Sequence, residues 1–166
     1  MQPKLILLMG VSGSGKSVIA LALARRLGWD FYDADDFHSP ENIGKMAAGI
    51  PLNDEDRAPW LASLHGLISS CLKAGRPAIL ACSALKERYR QQLVEDSNSV
   101  TFVYLKGNFD LIKSRLASRT GHYMKQTMLQ SQFDALEEPR DALVIDASLS
   151  VDKVVTLILE KTMGKK

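Results

Sequence analysis

The amino-acid sequence predicts an α/β fold, a three-layer sandwich with a five-stranded parallel sheet. Short apolar segments alternate with longer amphipathic ones, as expected where crossover helices join parallel strands. Leu5–Met9 is an uninterrupted apolar run, typical of a strand buried on both faces. A glycine-rich turn and an amphipathic helix follow this run directly. A length of 166 residues predicts a single domain over 1–166.

Each element is bounded by residues that start or stop it. Gly28 ends the first helix, Ser39 and Pro40 begin the second, and Asn108 caps the fifth. The predicted strands cover 5–9, 29–32, 78–82, 100–105 and 143–145. The predicted helices cover 17–27, 40–49, 54–74, 85–94, 109–119, 127–136 and 151–161.

The glycine-rich turn fits the phosphate-binding pattern G-x-x-x-x-G-K-[ST]. Its glycines allow successive backbone N–H groups to turn inward around a phosphate, and the next helix adds its positive dipole end. Lys16 can reach the β- and γ-phosphates, and the Ser17 hydroxyl can ligate Mg²⁺. The loop therefore predicts a nucleoside triphosphate but not its acceptor. The predicted nucleotide-binding residues are Gly10, Val11, Ser12, Gly13, Ser14, Gly15, Lys16 and Ser17, with Arg115.

An acidic cluster follows the second strand. We expect Asp33 to orient Mg²⁺ through its water shell and Asp35 to accept the proton of the acceptor hydroxyl. In an extended segment these two side chains point to the same side. The alternative is a polar turn that caps the next helix, and this alternative has more weight for Asp36 than for Asp33 and Asp35. No GTPase base-reading motif occurs in the chain.

Basic residues and histidines supply the remaining candidates. Arg115 and Arg119 are candidates to stabilise the transferring phosphoryl group, because a guanidinium forms two parallel bonds to phosphate oxygens. The alternative for each cation is a solvated surface charge. The candidates for binding an anionic acceptor, or for contacting substrate from a loop, are Arg57, Lys86, Arg90, His38 and His122.

Residues 120–140 contain no strand signal. A segment of this length inside a compact domain is often functional, so we expect a mobile lid over the nucleotide. The alternative is an ordinary helical excursion on the surface.

Composition excludes several other classes. The net charge is +2 and no basic run occurs, which predicts no nucleic-acid partner. No apolar stretch approaches 18 residues and no signal peptide is recognised, so no membrane segment is expected. Cys71 and Cys82 have no metal-ligand spacing and lie in apolar stretches. Together these features predict a reducing, cytoplasmic location.

Several segments together resemble the bacterial-type gluconokinases, relatives of shikimate kinase and the nucleoside monophosphate kinases. The phosphate loop alone is widely shared, whereas the other segments are specific in combination. One departure is Ala34, where the family usually has glycine. The segments are residues 9–17, 35–38 with 40–46, 49–57 with 59–61, 82–86 with 89–90, and a fifth set between residues 104 and 139 that includes 121–124, 131–133 and 136–139.

The resemblance implies a P-loop kinase of the nucleoside monophosphate kinase type. It implies transfer of the ATP γ-phosphate to the 6-hydroxyl of D-gluconate, a requirement for Mg²⁺, and commonly a homodimer. Charge alone does not separate gluconate from shikimate, which is also a hydroxylated carboxylate. Another small-molecule kinase on this scaffold, or an ATP-binding sensor without turnover, therefore stays open from the residues alone.

Overall fold

A computed structural model describes residues 4–96, 98–118 and 126–164, without the side chains of 126 and 127. Its strands form one parallel sheet with the order β2-β3-β1-β4-β5. The strands are β1 Leu5–Met9, β2 Asp30–Asp33, β3 Ala78–Ala81, β4 Val100–Lys106 and β5 Leu143–Asp146.

Helices alternate with these strands as the sequence predicts, which confirms the α/β fold class. The boundaries differ from the predicted ones by at most two residues, and a 3₁₀ turn at Ala34–Phe37 was not predicted. Within the described ranges, the helices are α1 Lys16–Leu27, α2 Pro40–Ala47, α3 Asp54–Ala74, α4 Glu87–Leu93, α5 Phe109–Ala117, α6 Gln126–Ala135 and α7 Val151–Met163.

Two apolar cores lie on the two faces of the sheet. Alternate residues of β1 point to opposite faces, since successive side chains of a strand alternate. Leu7 packs with residues of α3 such as Leu64, while Ile6 packs with residues of α1 and α7 such as Leu23 and Ile158. The sheet is thus covered by helices on both sides, which is the predicted three-layer arrangement.

The sheet topology brings several loops to one edge. The carboxyl ends of all parallel strands lie at the same edge, and β1 lies between β3 and β4. The chain leaves β1 towards β3 and β2 on one side and later returns to β4 on the other, which opens a crevice beyond the end of β1. The loops after β1, β2 and β3 therefore meet at this edge.

None of the helices in the described ranges has the length and hydropathy that a membrane span requires.

Candidate active site

The loop after β1 has a backbone that only glycine fits at two positions. Gly10 has φ +150°, and a Cβ there would lie 2.8 Å from Ser14 Oγ and 2.9 Å from Leu105 O. Gly13 has φ +82°, and a Cβ there would lie about 3 Å from side chains of α5. Larger residues would push the loop away from β4 and α5, so the glycines allow it to lie flat over the end of the sheet.

Lys16 turns back over this loop. Its ammonium donates to Gly10 O at 2.9 Å and to Val11 O at 3.0 Å. The side chains of Val11 and Ser14 are buried, which leaves only backbone groups of these two residues for a phosphate. The Ser14 N–H also donates to Val11 O within the loop, at 3.2 Å.

Asp33 joins the phosphate loop to the acidic cluster. Its Oδ2 accepts a hydrogen bond from the Ser17 hydroxyl at 2.6 Å, and its Oδ1 accepts from the Asp35 backbone N–H at 3.0 Å. One carboxylate thus holds both the start of α1 and the turn that carries Asp35. The two aspartates that the sequence singles out lie next to the phosphate loop.

A 3₁₀ turn, rather than an extended segment, brings Asp33 and Asp35 together. The expectation that strand alternation aligns them is wrong, because β2 ends at Asp33. Ala34 begins the turn, has no positive φ and is 1% exposed. The departure from glycine at this position therefore leaves the turn unstrained. Trp60 Nε1 donates to Ala34 O at 2.7 Å and fixes the turn from the side of α3.

The environment of Asp35 favours its protonated form relative to an ordinary aspartate. Desolvation within the cavity and the nearby Asp33 carboxylate raise the pKa of Asp35, while Lys16 and His38 oppose that rise. A carboxylate with a raised pKa is a stronger proton acceptor once it is ionised.

His38 lies beside Asp35 in an environment that favours the neutral imidazole. Its ring stacks on Trp60 with centroids 4.3 Å apart and an interplanar angle of 10°. The Asn42 Nδ2 amide lies 3.3 Å from Nδ1 and can only donate, so Nδ1 accepts and Nε2 carries the proton. Burial and Arg57 lower the pKa of His38, against the opposing effect of Asp35.

A cavity of about 790 Å³ joins the loop, the acidic turn and the start of α3. This volume suits a small ligand together with part of a nucleotide. The sequence analysis predicts the loops that form this cavity. It does not single out Trp60 or Gln132, although both residues lie in the segments that carry the family resemblance. Its polar lining includes Ser12, Lys16, Ser17, Asp33, Asp35, His38, Arg57, Ser83 and Gln132.

Arg57 is oriented by a polar group outside the cavity. Its Nη1 donates to the Tyr89 hydroxyl at 3.2 Å, and that hydroxyl donates to Asp54 Oδ1 at 2.5 Å. Lys86 and Arg88 also lie over the Tyr89 ring, at 5.8 and 5.4 Å from its centroid. This cluster concentrates positive charge on the side of the cavity away from the phosphate loop.

Arg90 is buried and lies outside the described lining of the cavity, so acceptor binding by Arg90 stays a prediction that its contacts do not support. Its side chain is 6% exposed and donates to Ala84 O at 2.7 Å, Glu137 O at 2.9 Å and Glu87 Oε2 at 2.9 Å. Ala84 has φ +44°, so Arg90 stabilises a strained backbone position after β3. Lys86 precedes α4 as its N-cap. Lys86 is also absent from the described lining of the cavity.

A smaller pocket of about 250 Å³ adjoins the phosphate loop on its other side. Arg115 lines this pocket and also donates to Ala147 O. Most of its other lining side chains are apolar and include Val18, Ile19, Leu105, Leu149, Val151 and Val154. The sequence analysis names Arg115 as a candidate nucleotide-binding residue, but it does not predict the apolar residues that line the pocket with it. Arg119 and His122 lie outside the described residues.

Fold and loop together define a nucleotide-binding protein of the phosphate-loop kinase class. A family model described as an AAA domain matches residues 5–143. A probable gluconokinase of Mus musculus is 43% identical, with 95% of this chain and 97% of that protein covered. The thermoresistant gluconokinase of Escherichia coli is 45% identical, with 92% and 90% covered. A gluconokinase structure from Sinorhizobium meliloti is 40% identical, has a TM-score of 0.86, and is covered over 91% of its chain and 98% of this one.

These similarities extend over nearly the whole chain, and the resemblance inferred from the sequence segments is confirmed. The chain belongs to the gluconokinase family of phosphate-loop kinases.

The structural role of Arg90 predicts a stability defect. Arg90→Leu leaves the buried Ala84 carbonyl without its donor and should lower the free energy of unfolding by about 2 kcal/mol or more. Denaturant unfolding followed by circular dichroism measures this change. Arg88→Leu is the matched control, because the exposed Arg88 side chain forms its ion pair with an exposed Asp54 and should cost less than about 1 kcal/mol. Equal, small effects for both variants would contradict the assignment.

Proposed function

We propose that this protein transfers the γ-phosphoryl group of ATP to the 6-hydroxyl of D-gluconate, giving 6-phospho-D-gluconate and ADP. The observation that carries this proposal is a single cavity lined by Lys16, Asp35 and Arg57. Such a cavity offers a cation for the phosphates, a proton acceptor, and a second cation for a carboxylate. Membership in the gluconokinase family supports gluconate over other acceptors with the same charge.

The smaller pocket suits the adenine and ribose of ATP. Its apolar walls match an aromatic base, and it adjoins the phosphate loop at Gly13 and Gly15. Arg115 would stack on or bond to the nucleotide from the end of α5. The triphosphate would then follow the loop into the larger cavity, where Lys16 would leave the loop carbonyls and bind the β- and γ-phosphates.

Ser17 and Asp33 fit a magnesium ion. Both present oxygen atoms, and the two groups already lie 2.6 Å apart. Mg²⁺ usually takes one or two protein oxygens and completes its shell with phosphates and water, so a larger acidic cluster is not required. In the described ranges, no group of three or more potential histidine, cysteine or carboxylate ligands is found. When bound, the ion would neutralise charge that develops on the phosphates.

Asp35 would act on the acceptor. Its carboxylate accepts the proton of the 6-hydroxyl while the hydroxyl oxygen forms a bond to the γ-phosphorus. The bond from that phosphorus to the bridging oxygen of ADP breaks in the same step. Lys16 stabilises the negative charge on the transferring group, because its ammonium lies in the same cavity.

The acceptor carboxylate would bind on the opposite side of the cavity. Arg57 is held by Tyr89 and presents further guanidinium donors to a carboxylate. His38 would donate from Nε2 to a hydroxyl along the sugar acid. Lys86 lies near Arg57 over the same ring and would add positive potential there.

Several predictions remain proposals. Arg119 would stabilise the transferring phosphoryl group, and His122 would contact substrate from the same segment. Residues 120–140 would act as a lid, within a single domain over 1–166. We also propose a homodimer and a cytoplasmic location, the latter supported by two buried cysteines that form no disulfide.

Acceptor selectivity tests the proposal directly. Purified protein with ATP and Mg²⁺ should release ADP with gluconate and form 6-phosphogluconate, with little release when gluconate is absent. The panel should include shikimate, glucose, pyridoxal and nucleoside monophosphates. A kcat/KM for another acceptor about tenfold higher than for gluconate would contradict the proposal. Tight ATP binding without turnover on any acceptor would support a sensor instead.

Asp35→Asn tests the proton acceptor. The amide cannot take a proton, so kcat should fall at least about a hundredfold while ATP affinity changes little. Steady-state kinetics and calorimetric ATP titration measure the two effects. Asp36→Asn is the matched control and should keep kcat within about twofold, because Asp36 does not line the cavity. Near-normal turnover of Asp35→Asn would remove Asp35 from this role.

Arg57→Lys tests the carboxylate-binding side. Lysine keeps the charge but loses the planar pair of donors, so the KM for gluconate should rise about tenfold or more while the KM for ATP is unchanged. Arg88→Lys serves as the control, because exposed Arg88 lies over the same Tyr89 ring without lining the cavity. An equal rise in both KM values for Arg57→Lys would indicate a general distortion of the site.

A further inference from the structure

Gln132 on α6 makes a contact with the phosphate loop that the mechanism above does not use. Its Oε1 accepts a hydrogen bond from the Ser12 backbone N–H at 2.7 Å, and its Nε2 donates to Ser12 Oγ at 2.9 Å. One amide thus binds both a backbone and a side-chain group of Ser12. Gln132 also lines the cavity that contains Lys16 and Asp35.

The Ser12 N–H has its hydrogen-bond partner on α6, outside the phosphate loop. The Ser14 N–H bonds to Val11 O inside the loop, whereas the bond of the Ser12 N–H is made to Gln132. A glycine-rich backbone has many accessible conformations, so a loop held by few internal bonds loses its shape readily. The Gln132 amide restricts the loop at Ser12, four residues before Lys16.

The helix that carries Gln132 is anchored on the acceptor side as well. The Glu137 N–H donates to Leu85 O at 2.7 Å, and Glu137 Oε1 accepts from the Glu87 N–H at 2.9 Å. Leu129 is buried in an apolar cluster with residues of the phosphate loop, the loop after β3, and α5. The members of this cluster are Val11, Leu85, Ile112, Leu116 and Leu129. The helix α6 therefore connects the loop after β3 with the phosphate loop.

We propose that Gln132 is a positioning residue for phosphoryl transfer. It holds the phosphate loop at Ser12 in a fixed relation to the acceptor side and keeps water away from the transferring phosphoryl group. This inference rests on the proposed function.

Hydrolysis of ATP is the competing reaction that Gln132 would suppress. In productive turnover, the bond between the γ-phosphorus and the bridging oxygen of ADP breaks. The new bond forms to the gluconate oxygen, whose proton goes to Asp35. When water attacks in place of gluconate, the same bond breaks and the products are ADP and inorganic phosphate. A loop that has lost its Gln132 contact would leave room for water beside Ser12 and favour the second reaction.

The test compares Gln132→Ala with Gln130→Ala. Gln130 lies on the same helix, and its exposed amide donates to Asp134 Oδ1 at 2.8 Å. The kcat of Gln132→Ala should fall about tenfold or more, because small misplacements of reacting groups cost large factors in rate. Its KM for gluconate should change less than about threefold, and phosphate released per 6-phosphogluconate should rise about fivefold or more. Gln130→Ala should match the wild type in all three measurements.

A second variant keeps the test decisive. Gln132→Met has a similar length and removes both hydrogen bonds, so it replaces the alanine variant if that protein does not fold. Normal kcat and normal coupling in a folded Gln132 variant would overturn the inference. A fall in kcat that tracks lower thermal stability, with unchanged coupling, would also overturn it, because it would indicate a purely structural role.

Failure of the proposed function gives a different result. A wild type that forms no 6-phosphogluconate would overturn the choice of acceptor. In that case phosphate release from ATP alone still tests Gln132, because it requires no acceptor. Faster release by Gln132→Ala than by the wild type would support the inference, and an equal rate would overturn it.

Discussion

The carboxylate of Asp33 is the contact on which the arrangement of the site depends. It binds the Ser17 hydroxyl at the start of α1 and the Asp35 backbone N–H in the 3₁₀ turn. Two chain segments that follow different strands are thereby held against each other at the edge of the sheet. In the proposed reaction, Lys16 acts on the nucleotide and Asp35 on the acceptor, so this one carboxylate would set the relation between the two reactants.

The start of α3 supports the same turn from the opposite side. Trp60 donates to Ala34 O and stacks on His38, and Asn42 donates to Asp56 O at 2.8 Å. Arg57 belongs to the same helical segment and is oriented by Tyr89. The turn that carries Asp35 and the ring of His38 therefore both contact the first part of α3, which also carries Arg57. This explains how a small ligand could be positioned at several points by a few contacts.

The sequence predicted the fold and the phosphate loop because both depend on local signals. Strand and helix periods, capping residues and the glycine spacing act over fewer than about ten residues. The acidic pair was predicted from its place after β2, but the reason given was wrong, because a 3₁₀ turn brings the two together. Arg57 and Arg90 received the same prediction, since residue type and charge do not distinguish them. Only the tertiary contacts of Arg90 with Ala84 and Glu137 separate a buried structural arginine from one that lines the cavity.

A crystal structure with gluconate and a non-hydrolysable ATP analogue tests the central claim most directly. Two quantities are to be measured. The first is the distance from the Asp35 carboxylate to the gluconate 6-hydroxyl, and the second is the angle at the γ-phosphorus between that hydroxyl oxygen and the bridging oxygen of ADP. The account predicts a hydrogen bond of about 2.6–3.2 Å and a hydroxyl oxygen in line with the bond that breaks. A gluconate whose 6-hydroxyl lies away from Asp35, or an Asp35 side chain that points away from the γ-phosphate, would contradict it.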